Sequence, residues 1–368
     1  MRIFHVSADH FAELDALPEA LPPRGFLWLG SARGVFEVRA PEVQAALQRW
    51  TGGQIVDLHV SDLLNNQLPS HYDYTSWYDL MVFRRLAAGA GSAAMFIDEE
   101  RGTASTARQA LAAIDTSPVG FALFDRVLVT VHATDCAVRD FFAQRLASTA
   151  GAATGESRGA GRLPGQPADL MLRMVNHMVD SYLDLRRLLT RQLGTLQAQL
   201  LDPHSRFADW KILLESRNTL HMLEDTCEDQ RSAMQEWIDA LEEWPDEPDA
   251  QARRERELLR VRSRDVLEHI ERVLGHVRRL EQSAETAVQM HFSALGHRTN
   301  DIMRTLTVLT AIFMPLNLIT GFFGMNFDAL PLIHSVTGFW VAFALMTAIG
   351  ITLVYFFRRK RYLGGAGD

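Results

Sequence analysis

Cysteine is nearly absent: the 368-residue chain holds two, Cys136 and Cys227, in no metal-binding spacing. That argues against a disulfide framework and fits free thiols in a reducing compartment. No apolar run of signal-peptide length opens the chain, which begins MRIFHVSADHF, so nothing there points to export. Excess positive charge is missing too. At a net charge of −8 the chain as a whole is no nucleic-acid binder. No Gly-rich loop cradles a phosphate and no His-Glu pair marks a zinc hydrolase, so the sequence reads as no enzyme. Two local absences matter more. No proline occurs from Ala250 until Pro315, and no Lys or Arg between Phe323 and Thr337.

What is present is apolar length. From Ile302 to Phe322 the only charge is Arg304, and the run is long enough to cross a bilayer's hydrocarbon core. One face is unlike lipid. Asn300, Met303, Thr307, Thr310, Met314, Asn317 and Gly321 recur at alternating steps of three and four, a single helical stripe. Leu306, Val308, Leu309, Ile312, Phe313, Leu316 and Ile319 fill the remaining surface. Polar groups at membrane depth persist where they face protein or water. The stripe therefore serves either helix–helix contact or the lining of a pore. Gly321 and Gly324 frame the helix end, where the backbone can turn and leave carbonyls free. Asn326 then offers a neutral oxygen at the membrane surface.

A second apolar run, Gly338 to Phe357, is also of bilayer length and stops at Arg358-Arg359-Lys360-Arg361. With no basic residue between the runs, the positive-inside rule puts both termini in the cytoplasm and the loop outside. The expected organisation is an α/β cytosolic domain over 1–148, a flexible Gly-rich linker over 149–167 and a cytosolic helical hairpin over 168–249. A stalk helix at 250–301 leads to a first transmembrane helix at 302–322, an outer loop at 323–337, a second transmembrane helix at 338–357 and a basic tail at 358–368.

Within the first domain, strands are expected at Phe26–Leu29, Asp79–Leu86, Val119–Phe124 and Val127–His132, the last two as a hairpin. A short helix is expected from Pro41, as its first residue, to Trp50. One helical face runs from Leu172 to Leu200 and a second helix from about Ala208 to Glu243. The turn that follows, from Trp244 to Asp249, is acidic and carries two prolines, which reads as a solvated tip. On the stalk, Val266, Ile270, Val273, Val277, Leu280, Ala284 and Ala287 form a heptad seam. A stalk continuous with the membrane run would span about seventy residues, or roughly 105 Å. A helix that long must pack on others, and it links cytoplasm to membrane mechanically.

The segment IFMPLNLITGFFGMNF, with Gly324-Met325-Asn326 between two apolar helices and a basic end after the second, resembles the CorA-type divalent cation channels. The resemblance is closest from about Asp265 to Leu363. It implies a funnel-shaped homopentamer in the lipid bilayer, with the first membrane helix of each chain lining the pore. Gly324, Met325 and Asn326 would form the selectivity filter, a ring of amide oxygens that holds hydrated Mg²⁺ by outer-shell hydrogen bonds. Asn317, Thr310, Thr307 and Asn300 would be polar rungs, and Met314, Met303 and Leu306 apolar constrictions.

His59-Val60-Ser61-Asp62-Leu63-Leu64-Asn65 and Arg264-Asp265-Val266-Leu267-Glu268-His269 resemble the family's two halves of a cytosolic Mg²⁺ sensor. Asp62 and Asp265 of neighbouring subunits would there hold a regulatory Mg²⁺. The ordinary alternative is that Asp62 caps a helix at Leu63 and Asp265 pairs with an Arg. The resemblance also puts the acidic tip near the basic ring Arg358, Arg359, Lys360 and Arg361. One departure weakens the expected outer charge: Asp328 is present, but Leu332 follows Pro331 where relatives often carry a second acid. Zn²⁺ is the rival cargo, as in the related ZntB-type proteins, and His269 and His276, two turns apart, are candidate ligands for it. Of another class is a membrane-tethered sensor or scaffold that conducts nothing.

Overall fold

The computed structural model describes residues 1–88, 114–134, 136–153, 162–201, 210–244, 249–325 and 336–360. They fall into two compact units, Met1–Thr286 and Ala287–Asp368.

The first unit is built on a sheet. Its strands are β1 (Arg2–Val6), β2 (Phe11–Leu14), β3 (Phe26–Ala32), β4 (His71–Tyr74), β5 (Asp79–Arg84), β8 (Pro118–Phe124) and β9 (Val127–His132), in the order β2-β1-β3-β9-β8-β5-β4. β6 (Ala87–Ala88) and β7 (Ile114–Asp115) form a separate two-stranded piece. β3 and β9 run parallel, and β8 and β9 form the expected antiparallel hairpin. Every residue of β3, β8 and β9 is buried, so the sheet is covered on both sides.

Strand alternation sorts the side chains into two cores. Leu27, Leu29, Ala122, Phe124, Val127 and Val129 pack beneath α1 (Arg33–Thr51) and α2 (Asp57–Leu64). Phe26, Trp28, Phe121, Leu123 and Leu128 pack beneath the helical layer. That layer consists of α3 (Ala137–Ala153), α4 (Pro167–Asp180), α5 (Tyr182–Leu201), α6 (Trp210–Glu243) and the first part of α7 (Ala250–Phe323). The second unit holds the rest of α7 and α8 (Val336–Arg359).

Several expectations are corrected. α1 starts eight residues before Pro41, which lies inside the helix and not at its first turn. Pro41 removes one N–H from the ladder, but buried Phe36, Val43, Ala46 and Leu47 fix the helix on the sheet from both sides of it. Residues 149–153 belong to α3 and not to a linker, while 154–161 lie outside the described residues. The helical face from Leu172 to Leu200 is divided at Ser181, whose hydroxyl donates to the Met178 carbonyl at 2.6 Å and the Leu86 carbonyl at 3.3 Å. The sheet, the hairpin helices and the stalk up to Thr286 lie in one compact unit. β1, β2, β4 and α2 had no strong sequence signal of their own.

The heptad seam is buried as the spacing requires, but its partners are in the same chain. Val266, Ile270, Val273, Val277, Leu280 and Ala284 join the core that contains Leu185, Leu189, Leu220, Cys227 and Trp237. Trp237 Nε1 donates to the buried Ser263 hydroxyl at 3.0 Å, which donates to the Leu259 carbonyl at 2.8 Å. Gln230 Nε2 reaches the Arg84 carbonyl at 2.7 Å and ties α6 to the sheet. Both cysteines are free and buried, and burial pushes the Cys227 thiol up to about 12.

Glycine is required by geometry at positions that include Gly52 and Gly120. Gly52 ends α1 with φ 78°, its N–H bonded to Gln48. Gly120 on β8 lets α2 approach the sheet: a Cβ there would lie 2.3 Å from Leu63 Cδ2. Gly120→Ala is therefore expected to cost about 1–3 kcal/mol. In a Leu63→Ala background the same change should cost far less, a coupling of at least about 0.5 kcal/mol. Thermal midpoints of the four full-length proteins measure both; additive shifts would show that the close approach is not what Gly120 serves.

Candidate ion pathway and its cytosolic sensor

The membrane part of α7 owes its continuity to the absence of helix breakers before Pro315, and its end to Gly324. The Gly324 N–H bonds the Thr320 carbonyl at 2.9 Å, and a Cβ at Gly324 would lie 2.9 Å from that same oxygen. The chain thus leaves the helix at Phe323 in a turn suited to glycine. Gly324 and Met325 are exposed; Asn326, Asp328 and His334 lie outside the described residues.

Almost nothing of either apolar span is buried within the chain. The shielded or half-shielded positions on α7 are Arg304, Val308, Ala311, Ile312, Pro315, Leu316, Ile319 and Phe323. On α8 they are Gly338, Ala342, Met346, Ile349, Gly350, Leu353 and Phe357. These rows fit a hairpin in which each span shields one side of the other. Asn300, Met303, Thr307, Thr310, Met314, Asn317 and Gly321 are all exposed. At 100° per residue their stripe is centred roughly 140° from the shielded row. Leu306 sits at its margin, roughly 70° from the centre.

The hydroxyls on this stripe are already committed. Thr307 donates to the Met303 carbonyl at 2.8 Å and Thr310 to the Leu306 carbonyl at 2.9 Å. Their hydrogens serve the helix backbone, so the oxygens turn only acceptor lone pairs outward. Such oxygens suit water molecules bound to a hard cation, which can only donate. Exposed Phe339 and Trp340 begin α8, while Tyr355 and Phe356 precede Arg358 and Arg359 in its last turn. Aromatic and basic residues at the two ends match the two interfaces of a bilayer. Lys360 follows the helix, and Arg361 lies outside the described residues.

The pair Asp62 and Asp265 is positioned by different means. Asp62 is half-buried and lies inside α2, where its carbonyl accepts from the Asn65 N–H at 3.2 Å; it does not cap a helix start. α2 is pinned by the buried His59. Its Nε2 meets the Asp73 carboxylate at 3.0 Å and its Nδ1 meets the Tyr78 hydroxyl at 2.8 Å. The ring is thus held at both nitrogens. The same hydroxyl accepts from the Val56 N–H at 3.0 Å, at the start of α2. The sequence motif drew attention to Asp62; the polar anchor behind it, shared by residues 59, 73 and 78, had no local pattern that could reveal it.

Asp265 is exposed on α7, and among the described residues it pairs with no arginine. Its carboxylate lies 3.8 Å from His269 Nε2, whose Nδ1 is 3.3 Å from Asp180. It borders a cavity of about 330 Å³ that Arg145, Arg173, His177 and Arg262 also line. Burial holds His177 below its usual range, and Arg173 and Arg262 both pair with Asp169. His276, the second histidine of the stalk pair, instead meets Thr190 at 3.4 Å and the Tyr182 ring. The two histidines have separate partners.

Asp62 and Asp265 belong to opposite faces of the sheet. α2 packs in the core under one face and the stalk in the core under the other. Within one chain the sheet lies between them. Two carboxylates suit a hard divalent ion, but these two do not meet within one chain.

The profile of the CorA-like Mg2+ transporter protein family matches residues 104–359, more than two thirds of the chain. The cobalt/magnesium transport protein CorA of Thermotoga maritima is 32% identical over 100 residues, 27% of this chain and 28% of that protein. The cobalt/magnesium transport protein CorA of Methanocaldococcus jannaschii is 46% identical over 66 residues, 18% of this chain and 21% of that one. These matched stretches span less than a third of either relative. The complete structure of the CorA magnesium transporter from M. jannaschii covers 97% of both chains at a TM-score of 0.69 and 18% identity. The full-length CmaX protein covers 98% of this chain at a TM-score of 0.59 and 19% identity. Those two likenesses are of fold: an α/β unit, a long helix and two apolar helices. On the family match, this chain belongs to the CorA-like Mg2+ transporter family.

Proposed function

We propose that this protein admits divalent cations, Mg²⁺ first, through a pore lined by α7 of several identical chains. Two spans per chain cannot enclose a channel, whereas a closed ring can, and the resemblance implies five. One observation carries the reading: every residue of the wettable stripe of α7 is exposed, while the shielded row lies on another side of the helix. A polar row on a lipid-length helix, left uncovered by its own hairpin, needs water or another copy against it. The stripe ends at Gly324-Met325-Asn326, where a ring of amide oxygens would select a hydrated ion. A divalent cation entering a cell whose inside is 100 mV negative gains about 4.6 kcal/mol, so no ATP site is required. Both termini then lie in the cytoplasm, with Arg358 to Arg361 at the inner surface.

Gating follows from the sheet that separates Asp62 and Asp265. Facing one another across a boundary between chains, the two carboxylates repel until a Mg²⁺ ion sits between them, so abundant internal Mg²⁺ holds the ring closed.

The purified protein in liposomes loaded with a Mg²⁺-sensitive dye tests the pathway. Wild type should take up Mg²⁺, and Asn326→Ala should fall to near the protein-free leak. No uptake by wild type would instead favour a tethered sensor or scaffold. Faster uptake of Zn²⁺ than Mg²⁺, especially with a proton gradient, would transfer the cargo to zinc. For the sensor, Asp265→Asn should keep conducting at internal Mg²⁺ concentrations that stop wild type; equal inhibition of both would remove Asp265 from gating.

A further inference from the structure

The stalk and the hairpin helix α6 bring a second set of donors together, away from both sites above. His221 and Glu224 stand three residues apart on α6, which puts them on one face. Glu281 reaches the same place from α7. One nitrogen of His221 and one carboxylate oxygen from each glutamate all lie within 4.8 Å of one another. We propose that His221, Glu224 and Glu281 form a divalent metal site that takes Zn²⁺ in preference to Mg²⁺ and clips α6 to α7.

The donor set favours that choice. One imidazole and two carboxylates match the mixed nitrogen and oxygen ligation of zinc, whereas Mg²⁺ keeps to oxygen and to its own water. Four-coordinate zinc holds its ligands roughly 3.4 Å apart, given bonds of about 2.1 Å. Closing from the observed spacing takes only side-chain adjustment, since His221 is exposed and the glutamates half-buried. Three protein ligands leave a position for water.

The surroundings fit a cation. Glu224 and Glu281 approach one another across the helices, and such a pair needs a proton or a metal between its oxygens. Arg278, one turn from Glu281, donates through Nε to Glu224 Oε1 at 2.7 Å and through its other arm to Glu228. It fixes the Glu224 rotamer, as outer-shell partners of metal ligands do, and its single charge offsets only part of the three glutamates. Neither Asp62 nor Asp265 takes part, so the site stands whether or not the protein conducts Mg²⁺.

The test uses the full-length protein in detergent, stripped with a chelator and titrated calorimetrically with Zn²⁺ in excess Mg²⁺, which occupies oxygen-only sites. Wild type and Asp265→Asn should each bind one Zn²⁺ per chain at this site. His221→Ala and Glu281→Gln should each weaken that binding by roughly tenfold or more. Zinc should also raise the thermal midpoint of wild type and leave that of both variants where it was. Equal zinc affinity in wild type and the two variants, or no zinc bound by wild type under excess Mg²⁺, would overturn the assignment.

Discussion

A bilayer leaves no backbone or side-chain polar group unanswered, and that constraint governs the membrane half of this chain. α7 crosses with apolar residues on most sides and a row of amides, hydroxyls and thioethers on one. Its hairpin partner α8 shields a different side, along the row that carries Gly338, Ala342, Met346 and Gly350. The threonines answer part of the demand locally by donating to their own helix. What remains outward is a column of acceptors, which is the chemistry a hydrated cation presents hydrogens to.

The first unit obeys a simpler rule, that apolar area is buried by the nearest available face. Seven strands in one sheet separate two cores, and the separation has a functional edge: it keeps Asp62 and Asp265 on opposite sides of the same protomer. α2 reaches its position because Gly120 has no side chain, and stays there because His59 and Tyr78 satisfy polar groups beneath it.

Much of this was readable in advance. The two apolar runs, the stripe and the glycine-framed helix end are patterns of period and length, which need no tertiary information. The β8–β9 hairpin and the heptad seam were readable for the same reason. Pro41 misled, because a proline inside a helix is tolerated when flanking residues on both sides are already buried. β1, β2 and β4 are too short to show alternation, and their place comes from pairing with distant strands. The seam could be seen but not its partner: a heptad pattern states that a face must be covered, and here α5 and α6 of the same chain cover it. The His221, Glu224 and Glu281 cluster joins residues from two helices far apart in the chain, so only the helix packing could disclose it.

That the stalk's apolar seam is satisfied internally bears on how such an assembly is made. Val266 through Ala284 need no neighbour to leave water, so each newly synthesised chain can complete its soluble half while still alone. Association is then left to the membrane segments and to whatever charges meet across protomer boundaries. Obligate oligomers whose cores are shared have no stable lone subunit. This chain is arranged the other way: its first unit buries its own core, so a lone copy would persist as a folded species instead of collapsing.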